Sequence, residues 1–185
     1  MHFAPTLAAV AFCAATLVSA NSMTFVSLDD TKRTVYVTPD AGHAHIDPVE
    51  LGGHCEVKIE FPQGWIGNAY TVSEGKENVP GMLAEAAFQG WGGLTYYDVS
   101  AIVDPNDHDG VKEMYPASQA GAEVKSSFSG CKVFPCPTAY YLPDDIQTVS
   151  TDETDLIVTV GNYGDQERRE EDAKYHSRNF VLGKL

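Results

Sequence analysis

The sequence predicts an all-β protein built as a single β-sandwich. Three observations carry this prediction: short stretches rich in β-branched and aromatic residues, turn-forming residues between them, and no helical periodicity before residue 163. Short strands that alternate with frequent turns are typical of sandwiches and barrels. The predicted strands are 24–28, 33–38, 55–61, 69–73, 83–89, 94–103 and 155–161.

Each predicted strand is bounded by residues that favour turns. The clearest strand is 55–61, where Val57, Ile59 and Phe61 alternate with charged residues, as expected for a strand with one buried face. The remaining stretches follow the same pattern. Turns are predicted where Asp, Asn, Pro and Gly cluster, at 29–30, 39–42, 52–53, 62–64, 90–93 and 104–107.

The first residues are predicted to form a secretory signal peptide. Residues 7–20 are an apolar run too short to cross a bilayer, and the run ends in Val18-Ser19-Ala20, a small-residue cleavage site before the polar Asn21. The protein is therefore expected to be secreted, extracellular or associated with the cell wall, without a membrane anchor. The predicted divisions are a signal peptide (1–20), a sandwich domain (21–162) and a charged tail expected to be mobile (163–185).

The chain is strongly acidic, with 26 Asp and Glu against 12 Lys and Arg and a formal net charge of −14. Such a surface repels phosphate backbones and anionic lipids, so neither nucleic acid nor a membrane is expected as a partner. No cofactor and no metal site are predicted. His43 and His45 would need a third ligand to hold a metal, and residues 107–110 do not fit the acidic spacing of an EF-hand.

The cysteine pattern predicts one disulfide. Removal of Cys13 with the signal peptide leaves Cys55, Cys131 and Cys136. An odd number of cysteines in a secreted chain leaves one thiol free or bonded to another molecule. Cys131 and Cys136 flank a short turn, so we expect them to pair. Cys55 stands at the head of a predicted strand and is expected to be a buried, inert thiol.

Two separate parts of the sequence resemble the thaumatin-like proteins. The first reads Gly-Met-Leu-Ala-Glu at 81–85 and Tyr-Tyr-Asp-Val-Ser at 96–100, and the second reads Cys-Pro-Thr-Ala-Tyr-Tyr-Leu-Pro-Asp-Asp at 136–145. The resemblance extends over about residues 24–161. It implies a thaumatin-like β-sandwich of the small, single-sandwich form that fungi secrete. It also implies an acidic carbohydrate cleft, on Glu85, Asp98 and Asp104.

The residues themselves also point to an acidic pair. Glu85 alternates with a core face that includes Phe88, so its side chain is expected to point outward. The glycine-rich link at 89–93 makes the strands of Glu85 and Asp98 neighbours in a hairpin, with the two side chains next to each other. Paired carboxylates serve glycoside hydrolysis, one as the acid and the other as base or nucleophile. Glu85 and Asp98 are therefore the candidate catalytic residues, and ordinary acidic decoration of the surface is the alternative.

Aromatic residues near the turns are candidates for stacking on sugar rings. Trp65, Trp91 and Tyr96 are assigned to substrate binding together with Asp104, and Trp91 between two glycines is the best candidate for an exposed ring. The alternative for each ring is packing in the core.

Three functions follow as hypotheses. The first is a secreted, wall-associated protein that binds β-glucan or a similar polysaccharide, with a role in wall remodelling, germination or host contact. The second is a weak endo-β-1,3-glucanase. The third is a non-catalytic effector or adhesin that a host protein recognises.

Overall fold

The computed structural model describes residues 21–163, which form two β-sheets that share one apolar core. The all-β sandwich that the sequence predicts is confirmed. The predicted signal peptide, and the predicted tail after Tyr163, lie outside the described residues. Within the described part, helix is limited to two short 3₁₀ turns, Trp91–Gly93 and Ala117–Gln119. No helix there is long and apolar enough to span a membrane.

The first sheet has five strands in the order β4-β1-β11-β8-β9. Its central pair is parallel: β1 and β11 run side by side from Ser22 opposite Asp155 to Ser27 opposite Val160. The other pairings are antiparallel. The first and last strands of the domain are therefore neighbours. The strands are β1 (Asn21–Ser27), β4 (Glu56–Phe61), β8 (Val111–Pro116), β9 (Ser129–Gly130) and β11 (Asp155–Val160).

The second sheet has six strands in the order β10-β7-β6-β5-β2-β3, and all its pairings are antiparallel. The hairpin of β6 and β7 lies near one edge of this sheet and carries the predicted acidic pair. The strands are β2 (Arg33–Pro39), β3 (Val49–Leu51), β5 (Ile66–Ser73), β6 (Leu83–Ala87), β7 (Thr95–Ser100) and β10 (Val149–Thr151).

The core is filled by alternate residues of both sheets, as period-two patterning requires. It includes a group of large rings in which Phe61 lies 4.5 Å from Trp65 and 5.5 Å from Phe88, centroid to centroid. Trp65 is 1% exposed, and its indole nitrogen donates to the carbonyl of Ala44 at 3.0 Å. This corrects the expectation for Trp65: because its ring packs in the core, it does not present a face to a ligand.

A buried arginine joins the β1–β2 turn to the β7–β8 loop. The guanidinium of Arg33 donates to both carboxylate oxygens of Asp29, at 2.8 and 2.9 Å. It also donates to the carbonyl of Asp109 at 2.9 Å and to the hydroxyl of Ser27 at 3.2 Å. Burial would raise the pKa of Asp29, but the hydrogen bonds and charge of Arg33 hold that pKa well below its usual range. The arginine therefore locks two loops at one end of the sandwich.

The cysteines differ from one another in their surroundings. Cys131 and Cys136 form a disulfide that closes the loop after β9. Cys55 is an exposed free thiol, contrary to the expectation that it is buried. The reason is local: β4 begins at Glu56, so Cys55 belongs to the preceding turn, where its amide donates to the carbonyl of Gly52.

Candidate functional site

A row of polar side chains crosses the face of the second sheet that points away from the core. Asn68 on β5 lies opposite Glu85 on β6, and Glu85 lies opposite Asp98 on β7. Ala84 and Ala86, on either side of Glu85, are buried in the core, so the glutamate faces outward. Residues directly opposite each other on adjacent strands have their Cβ atoms about 5 Å apart. The structure thus brings Glu85 and Asp98 together on one face.

These side chains line a cleft of about 260 Å³. Two further polar residues, Thr148 and Asp40, come from distant parts of the sequence and also line the cleft. Thr148, which immediately precedes β10, donates to Asp98 Oδ2 at 3.3 Å and shares a hydrogen bond of 2.6 Å with the Tyr140 hydroxyl. Asp40, just after β2, contributes a further carboxylate to the lining. The cleft therefore carries three carboxyl groups, and Ile66, Ala86 and Ala87 add apolar surface to its lining.

Asp98 is the buried member of the pair, with 9% of its surface exposed. Burial, then the charge of Glu85 and hydrogen bonding to it, raise the pKa of Asp98 to about 7, and the hydrogen bond from Thr148 lowers it only in part. The second oxygen, Oδ1, is buried without a hydrogen bond from the described residues. A carboxyl with a raised pKa and a buried, unbonded oxygen favours the protonated form of Asp98 up to near neutral pH.

The remaining predicted site residues have different positions. Tyr96 lines the cleft, and its hydroxyl donates to the carbonyl of Trp91 at 3.1 Å. The Trp91 ring is 86% exposed. Asp104 lies in the loop after β7, where its carboxylate accepts the amide of Asn106 at 2.9 Å. Since β7 ends at Ser100, the loop carries Asp104 away from the row, and it is not part of the cleft lining.

The site has the groups for acid–base chemistry or for hydrogen bonding to a polar ligand. A carboxyl with a raised pKa beside a second carboxyl is an arrangement that glycosidases use. Within residues 21–163, no group of three or more His, Cys, Asp and Glu side chains is arranged to hold a metal ion. His45 instead lies 3.4 Å from Asp47 on an exposed loop.

Asn68, Asp40 and Thr148 were not identified from the sequence. A signal for Asn68 existed: it lies between Gly67 and Ala69 on β5, at an outward position of the period-two pattern. Asp40 and Thr148 reach the cleft only through the pairing of β2 with β5 and of β10 with β7. Those pairings are set by the whole sheet, so a local pattern does not reveal them.

Comparison with known proteins relates the chain to a fungal antigen. No family model matches. The chain is 51% identical over 140 residues to the antigenic protein SchS21 of Stachybotrys chartarum, a match that covers 76% of this chain and 94% of that protein. Its fold is similar to the crystal structure of the protein elicitor MoHrip2 from Magnaporthe oryzae, with a TM-score of 0.58 and 15% identity over 77% of this chain and 99% of that one.

These findings overturn the assignment to the thaumatin-like proteins, because neither relative belongs to that family. The stretches that suggested it lie in β6, in β7 and in the loop before β10. Strands that alternate small core residues with outward-facing acids occur in many β-sandwiches. The resemblance in β6 and β7 therefore indicated the fold class and not the family. The acidic cleft therefore rests on its own geometry, without support from the family that first suggested it.

Proposed function

This chain belongs to the family of the Stachybotrys antigenic protein SchS21, and from that premise we propose that it is a secreted, non-catalytic protein which a host protein recognises. The predicted signal peptide supports secretion. Recognition by a host protein is supported by the relative SchS21, which is described as an antigenic protein. The observation that carries the proposal is Trp91, a tryptophan that is 86% exposed. Tryptophan is enriched among the few residues that supply most of the binding energy at protein interfaces.

The backbone under Trp91 is fixed although its ring is free. The amide of Gly90 donates to the carbonyl of Leu94 at 2.7 Å, and the amide of Gly93 donates back to Gly90 at 3.0 Å. Gly92 and Gly93 have φ of 69° and 77°, a left-handed conformation that favours glycine. The Tyr96 hydroxyl also donates to the Trp91 carbonyl, so the turn fixes the backbone from which the exposed indole projects. An exposed tryptophan on a fixed turn is available for contact with a partner protein.

The test is the response of host cells to the purified protein. We expect Trp91→Ala to raise the concentration needed for a half-maximal response by about tenfold or more, since central tryptophans commonly contribute over 2 kcal/mol. The matched control is Val124→Ala, which truncates a side chain that is 83% exposed in the loop between β8 and β9. Oxidative burst or cytokine release provides the readout. Equal loss in both variants, or none in Trp91→Ala, would remove Trp91 from the proposal.

Polysaccharide binding in the acidic cleft is a second candidate. The observation in its favour is the polar row of Asn68, Glu85 and Asp98, which offers both donors and acceptors to hydroxyl groups, beside the ring of Tyr96. Sugar recognition requires such hydrogen-bonding groups together with an aromatic surface. A weak β-1,3-glucanase activity of Glu85 and Asp98 stays a prediction attached to this candidate.

A sedimentation assay with insoluble β-1,3-glucan tests the second candidate. If the cleft binds the polymer, Glu85→Ala with Asp98→Ala should reduce the bound fraction several-fold, because each lost hydrogen bond to a charged group is worth about 1.5–3 kcal/mol. Glu77→Ala, an exposed acid outside the cleft, controls for the change in charge. Release of reducing ends by the unmodified protein but not by Glu85→Gln would establish hydrolysis. A bound fraction that the double substitution leaves unchanged would exclude the cleft.

A further inference from the structure

A second cavity, of about 370 Å³, shares no lining residue with the acidic cleft. It is bordered by the start of β8, the disulfide loop after β9 and the end of β11. Its lining contains three basic side chains, Lys112, Lys132 and His108, together with Val133, Phe134 and Tyr163. In a chain with a formal charge of −14 and 12 Lys and Arg in total, this concentration of basic groups needs an explanation.

The central feature of this basic cavity is Lys112, which is 3% exposed. Among residues 21–163, its ammonium takes part in neither a hydrogen bond nor an ion pair, and it lies 5.5 Å from the centroid of the Phe134 ring. An ammonium that has no acceptor among the described residues can be stabilised by an acceptor that enters the cavity. Burial accordingly lowers the pKa of Lys112, although the charges of Asp107 and Asp109 act against that effect.

The nearby carboxylates are already engaged by other donors. Asp107 accepts the backbone amides of Met82, Asp109 and Gly110 at 2.9 to 3.0 Å. Asp109 accepts the side-chain amide of Asn162 at 2.8 Å. Asp29 is paired with Arg33. These acids reduce the local positive potential, but none of them forms a hydrogen bond or an ion pair with the Lys112 ammonium.

The second lysine is held at the rim of the cavity. Lys132 is half-buried, and its ammonium lies 4.9 Å from the centroid of the Tyr163 ring. Cation–π contacts of this kind restrict the position of an ammonium and leave its N–H groups available to an acceptor. Lys112 inside and Lys132 at the rim thus offer two positive groups to one ligand, between aromatic and aliphatic walls.

We propose that the basic cavity around Lys112, Lys132 and Phe134 binds a small organic carboxylate. The carboxylate group would accept hydrogen bonds from the buried Lys112 ammonium, and the apolar body of the ligand would lie against Val133 and Phe134. The cavity is within the size range of small-molecule sites, which combine apolar walls with a few polar groups. This site is separate from the proposed recognition by Trp91 and does not depend on it.

Titration calorimetry of the secreted full-length protein with sodium benzoate tests the proposal. Benzoate serves as a probe with the required carboxylate and planar body, and benzyl alcohol is the neutral probe of similar shape. We expect benzoate to bind and benzyl alcohol not to bind. Lys112→Met should weaken benzoate binding at least tenfold and Lys132→Met several-fold. Lys76→Met, which removes the same charge from an exposed turn, should bind as the unmodified protein does.

The variants also distinguish loss of the binding site from loss of the folded structure. Methionine fills much of the volume of lysine, so Lys112→Met is expected to fold, and its circular dichroism and melting temperature report this directly. Lys132→Met lies at the rim and provides the test if Lys112→Met does not fold. Failure of the unmodified protein to bind benzoate, or equal binding by Lys112→Met, would overturn the proposal. Inorganic phosphate that binds as tightly as benzoate would overturn the assignment to an organic carboxylate.

Discussion

Replacement of Arg33 by methionine is expected to lower the free energy of unfolding by about 3–5 kcal/mol, the cost of removing one partner of a buried ion pair. The substitution leaves Asp29 without two of the four hydrogen bonds that its carboxylate accepts, and leaves the Asp109 carbonyl without the guanidinium donor. Two loops at one end of the sandwich lose their connection at once. Urea denaturation at pH 7, with the disulfide intact, measures the change.

Lys58→Met is the matched control for Arg33→Met. It also replaces a cation by methionine and breaks an ion pair, that of Lys58 with Asp155 at 3.2 Å, but both side chains are about half exposed. Pairs of that kind contribute about 0–1 kcal/mol. If Arg33→Met cost no more than this control, the buried arginine would not be the anchor that its contacts indicate.

The second large effect is a pH dependence centred on Asp98. Its pKa is raised to about 7 in the folded protein, against about 3.9 in an unfolded chain. Between these two pH values Asp98 is protonated in the folded protein and ionised in the unfolded chain. Its contribution to the free energy of unfolding is therefore fully present below about pH 4 and is lost as the pH rises through 7. Each unit of pKa corresponds to about 1.4 kcal/mol. We therefore expect a loss of a few kcal/mol between pH 5 and pH 8.

Asp98→Asn should remove most of that pH dependence, because an amide in place of the carboxyl cannot ionise beside Glu85. The variant is expected to be more stable than the unmodified protein at pH 8 and similar to it at pH 4, as measured by urea midpoints. Asp152→Asn removes an exposed carboxyl and should keep the original pH dependence. Asp29, whose pKa is lowered, acts in the opposite sense, but its contribution is lost only under strongly acidic conditions. A pH profile of Asp98→Asn parallel to that of the unmodified protein would contradict the raised pKa of Asp98.

The regular part of the fold could be predicted from the sequence because alternation alone identifies a half-buried strand. β4 shows this best, with Val57, Ile59 and Phe61 against charged neighbours. β8 was missed because Lys112 and Glu113, both buried, interrupt any apolar pattern. β3, β9 and β10 have only two or three residues each. Strands so short are defined by the partner that they pair with rather than by their own composition.

The part of the site that lies close together in the sequence could be predicted. Glu85 and Asp98 belong to one hairpin with a short link, so period-two alternation placed them together. Trp65 and Trp91 both stand beside glycines, and their sequence surroundings do not separate them. Only the packing of Phe61 against Trp65 makes one ring part of the core and leaves the other in solvent. The strand part of the family assignment failed for a related reason, since alternation in β6 and β7 reflects the two faces of a sheet and not ancestry.

The most direct test of the proposed function compares two changes on neighbouring parts of the same surface. The double substitution Glu85→Gln with Asp98→Asn removes both ionisable groups of the cleft while Trp91 keeps its place on the turn. If a host protein recognises the tryptophan without any chemistry in the cleft, the double variant should evoke a host response at the same concentration as the unmodified protein, whereas Trp91→Ala should not. A response that disappears with the two carboxyls and survives the loss of Trp91 would contradict the proposal.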